Sequence, residues 1–265
     1  MNSGTPRISV VIPTYQRRDG CRRAVASALE QELEPLEVLV CDDGSTDGTE
    51  DDLRAWAQEE PRLRYLRLPE NQGTPAPARN LGIQSARGDW IALLDSDDRW
   101  RPEKLAAQSE HLSNGAYDVV ASNATRESGG AYFDLRADKE LAREEFLVHN
   151  PIVVSTAIVR RSKALSAGGF PRSAAGLAIR GVEDYGLWIK LSYLGARFLV
   201  LADELAIYAD TGDAQMSSAV SRQEAGVAAV RWRLWMHRPF DPAVLRSAVR
   251  GTFDAGRALR PHPPE

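Results

Sequence analysis

The stretch WIALLDSDDRW, residues 90 to 100, runs from apolar residues straight into three carboxylates, Asp95, Asp97 and Asp98, with Ser96 between the first two. Like charges this close repel, and each carboxylate resists leaving water. A bound cation, an arginine partner or plain solvent at a strand end would each relieve the repulsion. A second apolar run, LEVLVCDD, also ends in acids, Asp42 and Asp43. The chemistry on offer is chelation by hard oxygens, which suits Mg²⁺ or Mn²⁺, ions that bridge to phosphates more often than protein fully encloses them. A lone Asp-x-Asp is more often a solvated strand end or a helix cap. Its position in the fold therefore carries the argument.

The elements that must position these acids alternate regularly in the first half. RISVVIPT (7–14) reads as a buried strand because Ile8, Val10, Val11 and Ile12 are β-branched and Pro13 closes the run. Cys21, Ala24, Val25, Ala28 and Leu29 then fall at the spacing of one apolar helix face. LEVLVCDD (36–43) is the second strand. A helix follows it, capped by Ser45, Thr46 or Asp47, with Glu50, Asp51 and Asp52 in the first turn, where the dipole favours anions. RLRYLRL (62–68), PARNLGIQSA (77–86) and WIALLD complete a β-α-β-α-β-α-β series. Such alternation predicts a mainly parallel sheet with helices on both faces and right-handed crossovers. Ligands of such sheets gather beyond the carboxyl ends of the strands, so Pro13 to Tyr15, Asp42, Asp43 and the Asp95–Asp98 cluster are expected on one edge. No lysine cluster accompanies these acids, which favours a metal.

Further along, DVVAS (118–122) and STAIVRR (155–161) read as strands, EDYGLWIKLSYLG (183–195) as a helix and ARFLVLADELAIYA (196–209) as extended chain. Two helices are expected between Ser218 and Arg260, broken at RPFDP. The 265 residues and 43% hydrophobic content suit one large domain with an extension. A net charge of −4 gives no global attraction to nucleic acid. Two cysteines, Cys21 and Cys41, do not make a disulfide scaffold, so a reduced, cytoplasmic setting is expected. The opening MNSGTPR has no apolar core of a signal peptide, and no stretch approaches a membrane span. The four histidines, at 111, 149, 237 and 262, lack zinc-ligand spacing.

Taken in order, ISVVIPTYQR, VLVCDDGSTDGT, NQGTPAPARNLGIQSARGDWIALLDSDD and VEDYGLWIKL resemble the successive motifs of the family 2 glycosyltransferases, over about Arg7 to Tyr208. The resemblance implies a GT-A fold: an α/β domain over 1–217, with a nucleotide-binding half at about 7–100, an acceptor half at about 101–217, and a C-terminal helical extension at 218–265. It also implies a nucleotide-diphosphate sugar donor, foremost a UDP-sugar, a divalent cation, and transfer with inversion to an acceptor hydroxyl of a glycan, glycolipid or other compound. By the same resemblance Pro13, Thr14 and Tyr15 line the base pocket, Asp43 accepts the base imide N–H, and Arg79 lies near the nucleotide. Asp95 and Asp97 form the Asp-x-Asp signature, with Asp97 facing ribose and metal and Asp98 sharing the cation. Asp184 matches the catalytic base, with Glu183 as its substitute. A carboxylate at a helix N-terminus is expected to stay ionised, as a base must.

One departure stands out. Many relatives carry a histidine after the final core strand, where this chain has Asp210, Thr211 and Asp213. A non-catalytic nucleotide-sugar-binding module is therefore kept as an alternative. A haloacid-dehalogenase-like phosphatase also uses Asp-x-Asp, but after its first strand rather than its fourth. No Gly-x-Gly-x-x-Gly follows the first strand, which excludes a dinucleotide-binding dehydrogenase. The segment RQEAGVAAVRWRLWMHRPF mixes Arg222, Arg231, Arg233 and Arg238 with Trp232 and Trp235. It suits either packing on the domain or peripheral contact of residues 218–260 with an anionic inner membrane face.

Overall fold

The computed structural model describes residues 4–113, 115–174, 177–178 and 181–210, together with positions 227–228, 243–244, 246–248 and 250. The alternation expected from the sequence is present. β1 (Ile8–Thr14), α1 (Arg18–Leu29), β2 (Glu37–Asp42), α2 (Thr49–Glu59), β3 (Leu63–Arg67), α3 (Ala76–Ser85) and β4 (Trp90–Leu93) follow one another. These four strands lie side by side in the order β3-β2-β1-β4, all parallel. Their carboxyl ends therefore share one edge.

The second half extends the sheet with mixed directions. β5 (Arg99–Trp100), α4 (Lys104–Leu112), β6 (Val119–Arg126), β7 (Lys139–Leu141), β8 (Ile158–Arg160), α5 (Arg161–Ser166), β9 (Ser173–Ala174), β10 (Leu177–Ala178), α6 (Glu183–Tyr193) and β11 (Phe198–Tyr208) follow in chain order. β8 runs antiparallel between β4 and β6, whereas β6 and β11 are parallel. STAIVRR is thus not one strand: residues 154–156 form a single 3-10 turn, 158–160 the strand, and α5 begins at Arg161. α4, α5 and β5 are additions to the elements read from sequence.

Alternation along the strands divides the core. Ile8, Val10 and Ile12 face α1 and α2 with Val38, Val40 and Leu53, while Val11, Leu39 and Leu93 face the layer containing Phe170 and Trp188 of α6. α3 lies so close on the sheet that a Cβ at Gly82 would fall 2.4 Å from Val11 Cγ1. Only glycine fits there. Asp47 rather than Ser45 or Thr46 receives the start of α2, accepting from the Thr49 N–H and hydroxyl, with Gly48 in a left-handed conformation between them. Among the described residues no helix is long and apolar enough to cross a membrane. Near the C-terminus Val244 and Ala248 are buried, and Ser247 Oγ donates to the Leu147 carbonyl. The arginines and tryptophans from 222 to 238, with Thr211 and Asp213, lie outside the described residues.

Candidate active site

At the carboxyl edge of β1, β2 and β4 opens a cleft of about 660 Å³, a size suited to a small-molecule ligand. Pro13, Thr14, Tyr15, Asp43, Arg79, Asp95, Asp97 and Asp184 all line it. Asp98 does not. It lies beneath the floor, only 2% exposed.

One wall is made by the ends of β1 and β2. Tyr15 is exposed, offering a ring face beside Pro13, an arrangement suited to stacking on a planar base. Asp43 is buried, and both its oxygens accept from the Gln72 N–H at 3.0 Å. Burial pushes the Asp43 carboxyl up, and the Gln72 and Gly73 N–H groups oppose that. Behind it Asp42 is locked by Ser45 Oγ at 2.6 Å and Tyr65 OH at 2.5 Å, so the turn carrying Asp43 is held from below.

The acidic loop forms the floor. Asp95, Asp97 and Asp98 each bring an oxygen within 4.8 Å of the others. Arginines answer part of the opening question: Arg79 Nη2 meets Asp95 at 2.6 Å and Arg17 Nη1 meets Asp97 at 2.7 Å. The arginine partner offered in the sequence reading as one relief of the repulsion is present at two of the three carboxylates. Among the described residues Asp98 has no such partner. Its oxygens accept from Ser155 Oγ at 2.5 Å and the Ala209 N–H at 2.8 Å. Burial, with Asp97 and Asp95 nearby, pushes its carboxyl well above the usual range, and burial also raises Asp97. Burial without a protein cation disfavours the charged form of Asp98, a cost that a bound cation would relieve, and three hard oxygens at this spacing fit a divalent ion. Ser155 joins the loop twice, since its hydroxyl also accepts the Asp95 N–H at 3.0 Å, and its carbonyl accepts from Trp100 Nε1 at 2.6 Å.

The opposite wall starts α6. Asp184 is partly exposed to the cleft and accepts from Asn150 Nδ2 at 2.8 Å. Helix position alone predicts a readily ionised carboxyl, but burial pushes it up, opposed by the Arg79 charge, the Tyr185 N–H and Asn150. A raised carboxyl makes a stronger base once ionised. Glu183, 2% exposed, also lines the cleft, and its Oε1 has no hydrogen-bond partner. Tyr132 and Tyr208 stand edge to face at 5.1 Å and complete this wall. If the Asp184 carboxylate acts as a base, replacing Asn150 by alanine removes a bond that favours its ionised form. The acid limb of the turnover–pH profile is then expected to shift to higher pH, activity being lost as pH falls through the base's pKa; stopped assays across pH 4–8 measure it.

Arg17, Asn150, Ser155, Tyr132 and Tyr208 carry no role in the sequence reading. Arg17 closes the quoted motif ISVVIPTYQR, and that placement beside a strand end was the available signal. Asn150 and Tyr132 sit in segments without periodicity, and Ser155 and Tyr208 at the ends of segments read as extended, where nothing local marks a role. Asp210, considered as a replacement for the loop histidine, instead accepts from the Ser128 N–H and hydroxyl at 2.8 and 2.5 Å.

The family model "Glycosyl transferase family 2" matches residues 9–169, which span the base wall and the acidic loop. The chain belongs to glycosyltransferase family 2. The succinoglycan biosynthesis protein ExoO of Rhizobium meliloti is 36% identical over 156 residues, 58% of this chain and 44% of that protein. The chain spans about half the length of the curated relatives it matches. Among solved structures, S. aureus TarS 1-349 in complex with UDP-GlcNAc superposes with a TM-score of 0.73 at 22% identity, covering 96% of this chain and 74% of that one. The mannosyltransferase PcManGT of Pyrobaculum calidifontis, in complex with GDP-Man and Mn²⁺, gives 0.71 at 23% identity, covering 96% and 74%. These likenesses establish the GT-A fold. Asp95–Asp98 follow β4 at the carboxyl edge of its parallel pair with β1, the edge at which ligands of such sheets generally gather.

Proposed function

We propose that the chain is a metal-assisted inverting glycosyltransferase, moving a sugar from a nucleotide-diphosphate donor, foremost a UDP-sugar, to an acceptor hydroxyl in polysaccharide, glycolipid or glycoconjugate synthesis. One observation carries this reading: a single cleft holds a base wall, a carboxylate floor and, across from them, a carboxylate with a raised pKa at the start of α6. The succinoglycan role of ExoO and the donors bound by TarS and PcManGT support it.

Pro13 and Tyr15 sandwich the base edge and Asp43 accepts its imide N–H. Asp97 and Asp98, with Asp95, would hold Mn²⁺ or Mg²⁺, which when bound neutralises the diphosphate and stabilises it as a leaving group. Arg79 keeps Asp95 in place and adds positive charge to the floor. Asp184 takes the acceptor's hydroxyl proton as that oxygen attacks the anomeric carbon from the face opposite the diphosphate, which inverts the centre. Asn150 aims the carboxylate.

Thermal shift with UDP, GDP and dTDP, each with and without Mn²⁺, tests the donor class. Stabilisation by one of them that requires Mn²⁺ is the expected result. A flat response to all three overturns the reading. Sugar release from UDP-GlcNAc, UDP-glucose and GDP-mannose then separates an enzyme from a binding module.

A further inference from the structure

The two arginines on the acidic floor are held very differently. Arg79 is 4% exposed; its guanidinium stacks over the Phe170 ring at 5.1 Å while it bonds Asp95. It is pinned. In the Arg17–Asp97 pair, both side chains are about one-third exposed and both residues line the cleft.

The Arg17 backbone is nevertheless fixed on either side. Gln16 before it adopts φ +50° and is tied to the loop after β2: its N–H donates to Ser45 Oγ at 2.9 Å, and its amide exchanges bonds with Thr46 at 2.8 and 3.0 Å. After it, the Arg17 carbonyl accepts the Cys21 N–H and α1 begins. Gly20 supplies a notch. A Cβ there would lie 2.9 Å from Arg17 Cγ and 2.8 Å from the Ser96 carbonyl, so the absent side chain lets the arginine stem and the acidic loop meet. The stem is anchored at its backbone while the charged end opens onto the cleft beside Asp97, so the guanidinium has room to change partner.

Asp97 is also one of the oxygens offered to a cation. Arg17 and a metal thus compete for one carboxylate. A cation arriving alone must displace the guanidinium into water, whereas a cation carrying a diphosphate brings a new anionic partner, and guanidinium binds such groups with two parallel bonds.

We propose that Arg17 is an exchangeable counter-ion: it pairs with Asp97 in the absence of donor and transfers to the donor's diphosphate when the cation–nucleotide complex binds, so that cation and nucleotide bind synergistically. This rests on the metal-assisted donor reading above. It assigns Arg17 a role in excluding bare cation and selecting the diphosphate-bearing form. The coupling is reciprocal, since each ligand strengthens the other by the same factor.

Isothermal titration of the full chain tests it, with Mn²⁺ alone, UDP alone and UDP at saturating Mn²⁺ as probes. Arg17→Met keeps the stem over Gly20 and removes the charge. In this variant Mn²⁺ alone is expected to bind about 2- to 5-fold more tightly, within the range for a partly exposed pair. UDP with Mn²⁺ is expected to bind about 10-fold more weakly, the scale of a lost charge-assisted bond. Arg17→Lys keeps the charge but not the fork and is expected to fall between, which also covers a failure of the methionine variant to fold. A structural role alone would weaken both ligands together. Unchanged Mn²⁺ affinity in Arg17→Met, or loss of both affinities in parallel, overturns the proposal while leaving the donor reading intact. Wild-type protein that binds UDP equally with and without Mn²⁺ overturns both.

Discussion

Replacing Asp184 by asparagine is expected to leave UDP affinity at saturating Mn²⁺ within about 2-fold of the parent and to lower turnover by about 10³-fold, within the 10²- to 10⁴-fold range of a general base. The asymmetry follows from the layout. Asp184 stands on the wall opposite the base pocket, at the start of α6, with Asn150 as its side-chain partner. Asparagine is nearly isosteric and still meets the Asn150 amide through its own carbonyl, so the donor side has no reason to shift. What disappears is an oxygen able to hold a proton. Titration calorimetry and a coupled nucleotide-release assay read the two quantities separately. Full turnover in the variant would move the base to Glu183, the adjacent buried carboxylate whose Oε1 is unpartnered.

Alanine at Asp97 should produce the opposite pattern. Mn²⁺-dependent UDP binding is expected to weaken by about 100-fold, because a direct ligand is worth several times a rim contact and the remaining pair is compromised. Asp95 is occupied by Arg79 and Asp98 by Ser155 and the Ala209 N–H. Metal-free UDP binding should change little, since Asp43 and the Pro13–Tyr15 wall are untouched. A full Mn²⁺ dependence in the variant would remove Asp97 from the cation site. Circular dichroism guards against unfolding, because Asp97 is partly exposed and buries no core contact.

The first half of the fold was legible because its signals are local. Runs such as Val10–Ile12 and Val38–Val40 specify buried strands, and parallel strands send their ends to one edge, so the acids at 43 and 95–98 had to meet there. The second half was less so. β5 and β8 span two and three residues, too short to show a period, and β8 owes its place to antiparallel pairing on both sides. The ion pair of Arg17 with Asp97 joins residues 80 apart, and Ser155 reaches Asp98 across 57. Nothing in local composition marks such partners. The upward shift of the Asp184 carboxyl was not legible for a related reason: the helix terminus is visible in the sequence, whereas the burial that opposes it is assembled from the rest of the fold.

Asp98 receives its two hydrogen bonds from Ser155, ahead of β8, and from Ala209, just past β11. It therefore sutures the second half of the chain to the acidic loop of the first. Engineers who graft the later half of another relative onto residues 7–100 would need to retain a hydroxyl at the first of these points and a backbone donor at the second. A chimera lacking them would leave the seam between its parents lined with an unanswered carboxylate.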